Sequence, residues 1–232
     1  MSLAVSRPEG PVHRVGFEPD PWAWTPWEYG PFTGRWDDPE DLYRVLYVAT
    51  SPLGCFLEVL AVFRPDPRLA TEIAQVEGDA ADDTFPTVGP GQVDRTWLER
   101  RRLGTGALAG EFVDVGHSQT IAELRRLFLA RAIELGLVDL DAAAIRMAAP
   151  RALTQEISRV LYTSTLPAGR VPAGIEFGSR HGDDQQLWAV FERDADIGTP
   201  SSHLLREVSD AAIPEDDPDL LEAMALHHLA WR

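Results

Sequence analysis

A single acidic side chain stands where acids are uncommon. Glu58 interrupts the apolar run 55–63, and its helical neighbours Leu53, Phe56, Leu57, Leu60 and Phe63 form one buried stripe. On a helical wheel Glu58 falls roughly opposite Leu60, flanked by Gly54 and Ala61, so small residues leave room for something to approach it. That room makes the carboxylate a candidate site residue. An ordinary exposed glutamate on a polar helix face fits the same pattern.

Other chemistries find less support. His227 and His228 are adjacent, and neighbours on a helix point about 100° apart, so they do not converge on one ion. His117, His181 and His203 are scattered. There is no phosphate-binding Gly-Lys-Ser/Thr loop and no Gly-x-Ser-x-Gly elbow, and Gly104-Thr105-Gly106 is too short a glycine run to carry meaning. Cys55 is the sole cysteine, which rules out an intrachain disulfide and the cysteine–histidine zinc patterns.

Composition narrows the field further. Hydrophobic residues at 44% and charged residues at 25% are globular proportions and argue against wholesale disorder. A net charge of −16 repels nucleic acid over most of the surface, leaving anion binding to places where arginines gather. Residues 1–10 lack the apolar core and cleavage site of a signal peptide, and the run 55–63 is far too short to span a bilayer. No membrane association is expected, and the expected location is the cytoplasm.

The elements that must position Glu58 are legible in outline. Residues 12–17 predict a first strand carrying Arg14, and residues 44–49 (RVLYVA) predict a buried strand. Ser51 as cap and Pro52 in the first turn start a helix that runs to Phe63, before Pro65. Between these strands, residues 18–36 hold four prolines, two glycines and the aromatics Trp22, Trp24, Trp27, Tyr29, Phe32 and Trp36, an irregular loop that pads a core or walls a pocket. Residues 68–76 predict a strand and 79–94 an acidic surface loop. Residues 112–115 predict a short strand, and 117–135 an amphipathic helix opened by a Thr120/Glu123 capping box and closed at Gly136. A helix over 151–162 and two final strands, 173–179 and 186–192, complete an α+β domain. The C-terminal stretch carries the acidic patch Glu215-Asp216-Asp217 and a helix around 220–229, read as a solvated tail packed on the domain.

The order of several short segments resembles the RES-domain family, named for its Arg, Glu and Ser. The matching pieces are His13-Arg14-Val15, Gly34-Arg35-Trp36-Asp37, Val45 to Ser51, Phe56-Leu57-Glu58, Ala173 to Arg180 and Leu187 to Phe191. Each piece alone is weak. Their order, with the eleven-residue step from Tyr47 to Glu58, is what carries the resemblance. The stretch between Glu58 and Ser179 is longer than in compact members, and the tail after Asp194 has no counterpart.

The resemblance implies one α+β domain similar to the diphtheria-toxin-like ADP-ribosyltransferases, with helical insertions. It divides the chain into a flexible N-terminus (1–12), the RES domain (13–194) and an acidic extension (195–232). It also implies a toxin that depletes NAD⁺ by cleaving the nicotinamide–ribose bond, with phosphate or water as acceptor: an NAD phosphorylase or glycohydrolase. Glu58, Arg14 and Ser179 would be catalytic, and Arg14, Arg35, Tyr47 and Ser179 would bind the dinucleotide. NAD⁺ is then substrate, and no cofactor or metal is expected. Expected partners are NAD⁺, inorganic phosphate and an Xre-type antitoxin contacting the aromatic loop 21–36, without direct nucleic-acid binding. Two alternatives stay open: ADP-ribose transfer onto a macromolecule, and a non-catalytic NAD-binding RES protein.

Overall fold

The computed structural model describes residues 1–65, 89–147 and 149–232. In chain order the main elements are β1 (Val5–Ser6), β2 (Pro11–Phe17), β3 (Val45–Ala49), α1 (Pro52–Leu60), β4 (Gln92–Val93), α2 (Thr96–Glu99), β5 (Arg101–Leu108) and β6 (Phe112–Asp114). They continue with α3 (Ser118–Glu134), α4 (Ala142–Arg146), α5 (Arg151–Tyr162), β7 (Gly174–Gly178), β8 (Gln186–Phe191), β9 (Leu205–Ala212), α6 (Pro218–Leu226) and β10 (Ala230–Trp231). Eight strands form one sheet in the order β1-β6-β7-β8-β3-β2-β5-β9, while β10 and β4 make a separate two-stranded ribbon. Within the large sheet only the β6–β7 pair is parallel. The expected α+β class is the class observed.

The central strands are apolar throughout because both their faces are covered. Successive side chains of a strand point to opposite faces, and β3 and β8 sort accordingly. Leu46, Val48, Trp188 and Val190 join one core with Val12, Trp22, Trp24 and Leu108. Ala49, Leu187, Ala189 and Phe191 join the other, against Trp36, Phe56, Leu60, Leu124 and Ile157 on the helical side. Helix α1 therefore lies on the second face with its stripe inward, and Phe56 and Leu60 are fully buried.

Several expectations need correction. Helix α3 starts as placed, but its cap is His117, whose Nδ1 accepts from the Gln119 N–H at 3.1 Å. Thr120 is buried, accepting from the Ala4 N–H at 3.0 Å, and Glu123 pairs with Arg126, so the capping box does not form. That same Ala4 contact, with β1 pairing to β6, ties down the N-terminal residues expected to be loose.

Strands β5 and β9 were not anticipated. Gly104 weakens the strand signal in β5, yet the position demands it: a Cβ there would lie 2.6 Å from the Trp22 ring. The C-terminal extension is built into the fold, since β9 pairs with β5 and β10 with β4. Its acidic patch serves locally, because Asp217 caps α6 by accepting the Leu220 N–H at 3.0 Å. Of the aromatic loop, Trp22, Trp24 and Trp36 are buried, whereas Trp27 and Tyr29 are exposed. The strand expected over 68–76, and the acidic loop up to residue 88, lie outside the described residues.

Truncating Phe56 to alanine empties a fully buried site beneath α1. Urea denaturation should show a loss of roughly 3–5 kcal/mol, as for other large-to-small core changes.

Candidate functional site

Helix α1 is set by its first turn. Ser51 accepts from the Gly54 N–H at 3.0 Å, and its hydroxyl donates to Gln185 Oε1 at 2.7 Å, while Pro52 occupies the first helical position. Gln185 belongs to the turn after β7, where its carbonyl accepts the Ser179 N–H at 2.9 Å. The start of α1 and the end of β7 are thus tied together on the same residue.

This tie brings Glu58 to Ser179. The Ser179 hydroxyl, almost fully buried, donates to Glu58 Oε1 at 2.7 Å and accepts from the His181 N–H at 2.9 Å. Glu58 itself is half-buried, between the extremes that its sequence setting allowed. One carboxylate oxygen is held by a neutral donor in a fixed direction, which leaves its partner oxygen for another group.

Arg35 approaches from the loop before β3. Its Nη2 donates to the Arg146 carbonyl at 3.1 Å, and its guanidinium carbon sits 5.6 Å from the centre of the Phe177 ring. Burial pulls the Arg35 pKa down, Glu58 works against that, and Arg151 and Arg180 reinforce it. One carboxylate therefore faces several guanidinium groups, a local excess of positive charge on a strongly acidic chain. Arg180 and Arg151 were not singled out from sequence, although Arg180 directly follows Ser179; a cluster formed from 35, 151 and 180 has no one-dimensional signature.

The other two expected residues sit behind this front. Arg14 donates from Nε to the Pro21 carbonyl at 2.7 Å and from Nη1 to the Tyr47 carbonyl at 2.9 Å. Burial lowers its pKa, with Cys55, Tyr47 and Asp20 opposing the shift. Two of the five guanidinium donors are thus spent on backbone. The Tyr47 hydroxyl donates to Asp37 Oδ1 at 2.8 Å and accepts from the Trp36 N–H at 2.9 Å. Its ring stands edge-on to Phe177, with centroids 6.4 Å apart. The structure brings Glu58, Ser179 and Arg35 together, and it engages Arg14 and the Tyr47 hydroxyl in holding backbone.

Two histidines line the back of the turn. His227 bonds through Nε2 to the Leu57 carbonyl at 2.8 Å, and the His181 ring packs edge-on to it at 5.1 Å. Among the described residues, no three His, Cys, Asp or Glu side chains are grouped to hold a metal, and no helix is long and apolar enough to cross a membrane.

Cavities complete the picture. A small one of ≈ 40 Å³ is bounded by Arg35, Phe177 and Gly178. A large one of ≈ 1050 Å³ opens at the far ends of β7 and β8, against Ala173 and Arg193. None of the sequence-derived candidates lines the large cavity. Of its two carboxylates, Glu111 and Asp194, the first is already paired with both Arg7 and Arg170.

Burial drives His181 down to about 4, with Arg180, His227 and Arg64 adding to the shift and Glu58 opposing it. The unfolded imidazole, near 6.5, binds a proton that the folded one refuses, so this group's contribution to stability is full above about 6.5 and lost as pH falls toward 4. Thermal midpoints of a His181→Gln variant should fall less steeply between pH 6.5 and 4 than those of the parent; equal slopes would refute the assignment.

Comparisons with known proteins agree with this reading of the sequence in one respect. No curated protein matches the chain. Among solved structures, a chain of the M. tuberculosis MbcT–MbcA toxin–antitoxin complex is similar at 16% identity, covering 97% of this chain and 91% of that one, with a TM-score of 0.46. The family model of the RES domain matches residues 11–123, the segment that carries Arg14, Arg35, Tyr47 and Glu58, so the family expected from the sequence is the family found.

Proposed function

We propose that this protein is a toxin that depletes NAD⁺ by breaking the nicotinamide–ribose bond, on a fold of the diphtheria-toxin-like ADP-ribosyltransferase kind. The observation that carries the proposal is the Glu58 carboxylate held at 2.7 Å by the buried Ser179 hydroxyl, with the Arg35 guanidinium beside it. The RES-domain match over residues 11–123 supports it.

The chemistry suits these groups. Nicotinamide in NAD⁺ is a cationic leaving group, so it departs neutral, taking the bonding electron pair, without protonation by a strong acid. The ribose C1′ then carries positive charge as in an oxocarbenium-like transition state. Glu58 stabilises that charge or holds a ribose hydroxyl, and the hydrogen bond from Ser179 fixes its direction before substrate arrives. Arg35 grips the pyrophosphate, because a guanidinium matches phosphate oxygens in a forked geometry. Arg14, with two donors on backbone carbonyls, acts from behind the site and contributes through its remaining donors. The small cavity beside Arg35 holds no more than solvent, so the dinucleotide lies across the open face in front of it.

Attack at C1′ by water gives ADP-ribose and a proton; attack by inorganic phosphate gives ADP-ribose 1″-phosphate. The guanidinium groups of Arg151 and Arg180 near Arg35 favour capture of a phosphate acceptor. An Xre-type antitoxin is the proposed partner, with exposed Trp27 and Tyr29 as its contact points.

Nicotinamide release from NAD⁺, followed with and without phosphate, tests the reading. Glu58→Ala should lower the rate on the order of 10²–10³-fold with the thermal midpoint little changed, the scale set by loss of one transition-state-stabilising group. Undiminished release in that variant removes the mechanism. A phosphate-dependent rate with a phosphorylated product selects the phosphorylase branch.

A further inference from the structure

Arg35 lies in a turn with no helix or strand to hold it, yet its backbone neighbours are fastened from three sides. The Asp37 carboxylate accepts the Gly34 N–H on Oδ2 at 2.5 Å and the Tyr47 hydroxyl on Oδ1 at 2.8 Å. That hydroxyl in turn accepts the Trp36 N–H at 2.9 Å. From α5, Ser158 donates to the Trp36 carbonyl at 2.6 Å and Gln155 to the Gly34 carbonyl at 3.3 Å. Gly34 and Trp36 are pinned on both their polar groups, with Arg35 between them.

The clamp closes only because residue 34 has no side chain. A Cβ there would meet Asp37 Oδ2 at 2.6 Å and the Tyr47 hydroxyl at 2.7 Å. Asp37 is also an expensive residue in this place. It is buried, its hydrogen bonds come from neutral groups, and burial pushes its carboxyl up against those two bonds. Both oxygens of that carboxylate are engaged by the turn itself, one by the Gly34 N–H and one by the Tyr47 hydroxyl. What it does is fix the turn.

We infer that Asp37 is a positioning residue: through the Gly34 N–H and the Tyr47 hydroxyl it sets the turn so that the Arg35 guanidinium stays over Phe177 and beside Glu58. The inference rests on the proposal that NAD⁺ is cleaved at Glu58 and gripped by Arg35. Asp37 itself touches neither reacting atom nor phosphate. Loss of the clamp lets Arg35 wander, and misplacement of about 1 Å at a substrate-gripping group can cost as much as 10²-fold.

The test compares Asp37→Ala, Asp37→Asn, Arg35→Ala and the double variant Arg35→Ala/Asp37→Ala, each checked by its thermal midpoint. Arg35 holds NAD⁺ in ground and transition state alike, so Asp37→Ala should raise KM on the order of tenfold while lowering kcat less. Asp37→Asn, which keeps shape and an acceptor toward Gly34, should recover most of the loss. The double variant should be no worse than Arg35→Ala alone, because the two residues act through one guanidinium. Additive losses, or wild-type KM in Asp37→Ala, overturn the inference.

A readout without NAD⁺ separates this inference from the function it rests on. The Arg35 Nε–H resonance in solution NMR should be sharp and dispersed in the wild type and broadened or averaged in Asp37→Ala. An unchanged resonance sinks the positioning role whatever the enzyme assay shows. A changed resonance in a protein that leaves NAD⁺ intact keeps the clamp and discards the cleavage.

Discussion

The hydroxyl of Ser179 and the carboxylate of Glu58 meet across 121 residues of chain, and most of what surrounds them serves that meeting. Glu58 rides on α1, whose direction is set by the Ser51 cap and whose depth is set by Phe56, Leu57 and Leu60 in the core. Ser179 follows β7, which lies two strands away from β3, the strand that leads into α1. The Gln185 side chain and carbonyl connect the two ends directly. A short hydrogen bond between groups on different elements needs both elements held to within a fraction of an ångström, and the two-sided core around β3 and β8 supplies that rigidity.

Charge is distributed to the same end. The chain carries a net charge of −16, which disfavours anions over most of its surface. Around Glu58 the balance reverses, because Arg35, Arg151 and Arg180 act on one another closely enough for the last two to lower the first. Guanidinium groups tolerate such crowding and burial while staying charged. A locally positive patch on a negative body concentrates an anionic ligand at one place and repels it elsewhere.

Arginine is used here in two different ways. Arg35, itself buried, donates one bond to a backbone carbonyl and lies over the Phe177 ring. Arg14 and Arg193 each donate to two backbone carbonyls and so tie loops to the sheet. Arg44 does similar work through Glu192, stacking near Trp24 and Trp27 in the aromatic loop. The aromatic segment is thus divided: its buried tryptophans extend the core, and its exposed rings remain at the surface.

The sequence by itself determined the local pieces of this protein. Apolar periodicity, with the Ser51 cap at α1, located β2, β3, α1, α3, α5, β7 and β8, because those signals are carried by residues a few positions apart. It also marked Glu58 as anomalous on an apolar helix, and the order of short motifs pointed to the family. Strands β5 and β9 stayed hidden, one thinned by glycines, of which Gly104 makes room for Trp22, the other almost wholly exposed and held by pairing with a neighbour. Only the tertiary structure decided that Arg14 and the Tyr47 hydroxyl hold backbone, that Arg151 and Arg180 join Arg35, and that Asp37 closes a clamp. Those facts depend on hydrogen bonds and charges between residues far apart in the chain, and their geometry exists only once the sheet has formed.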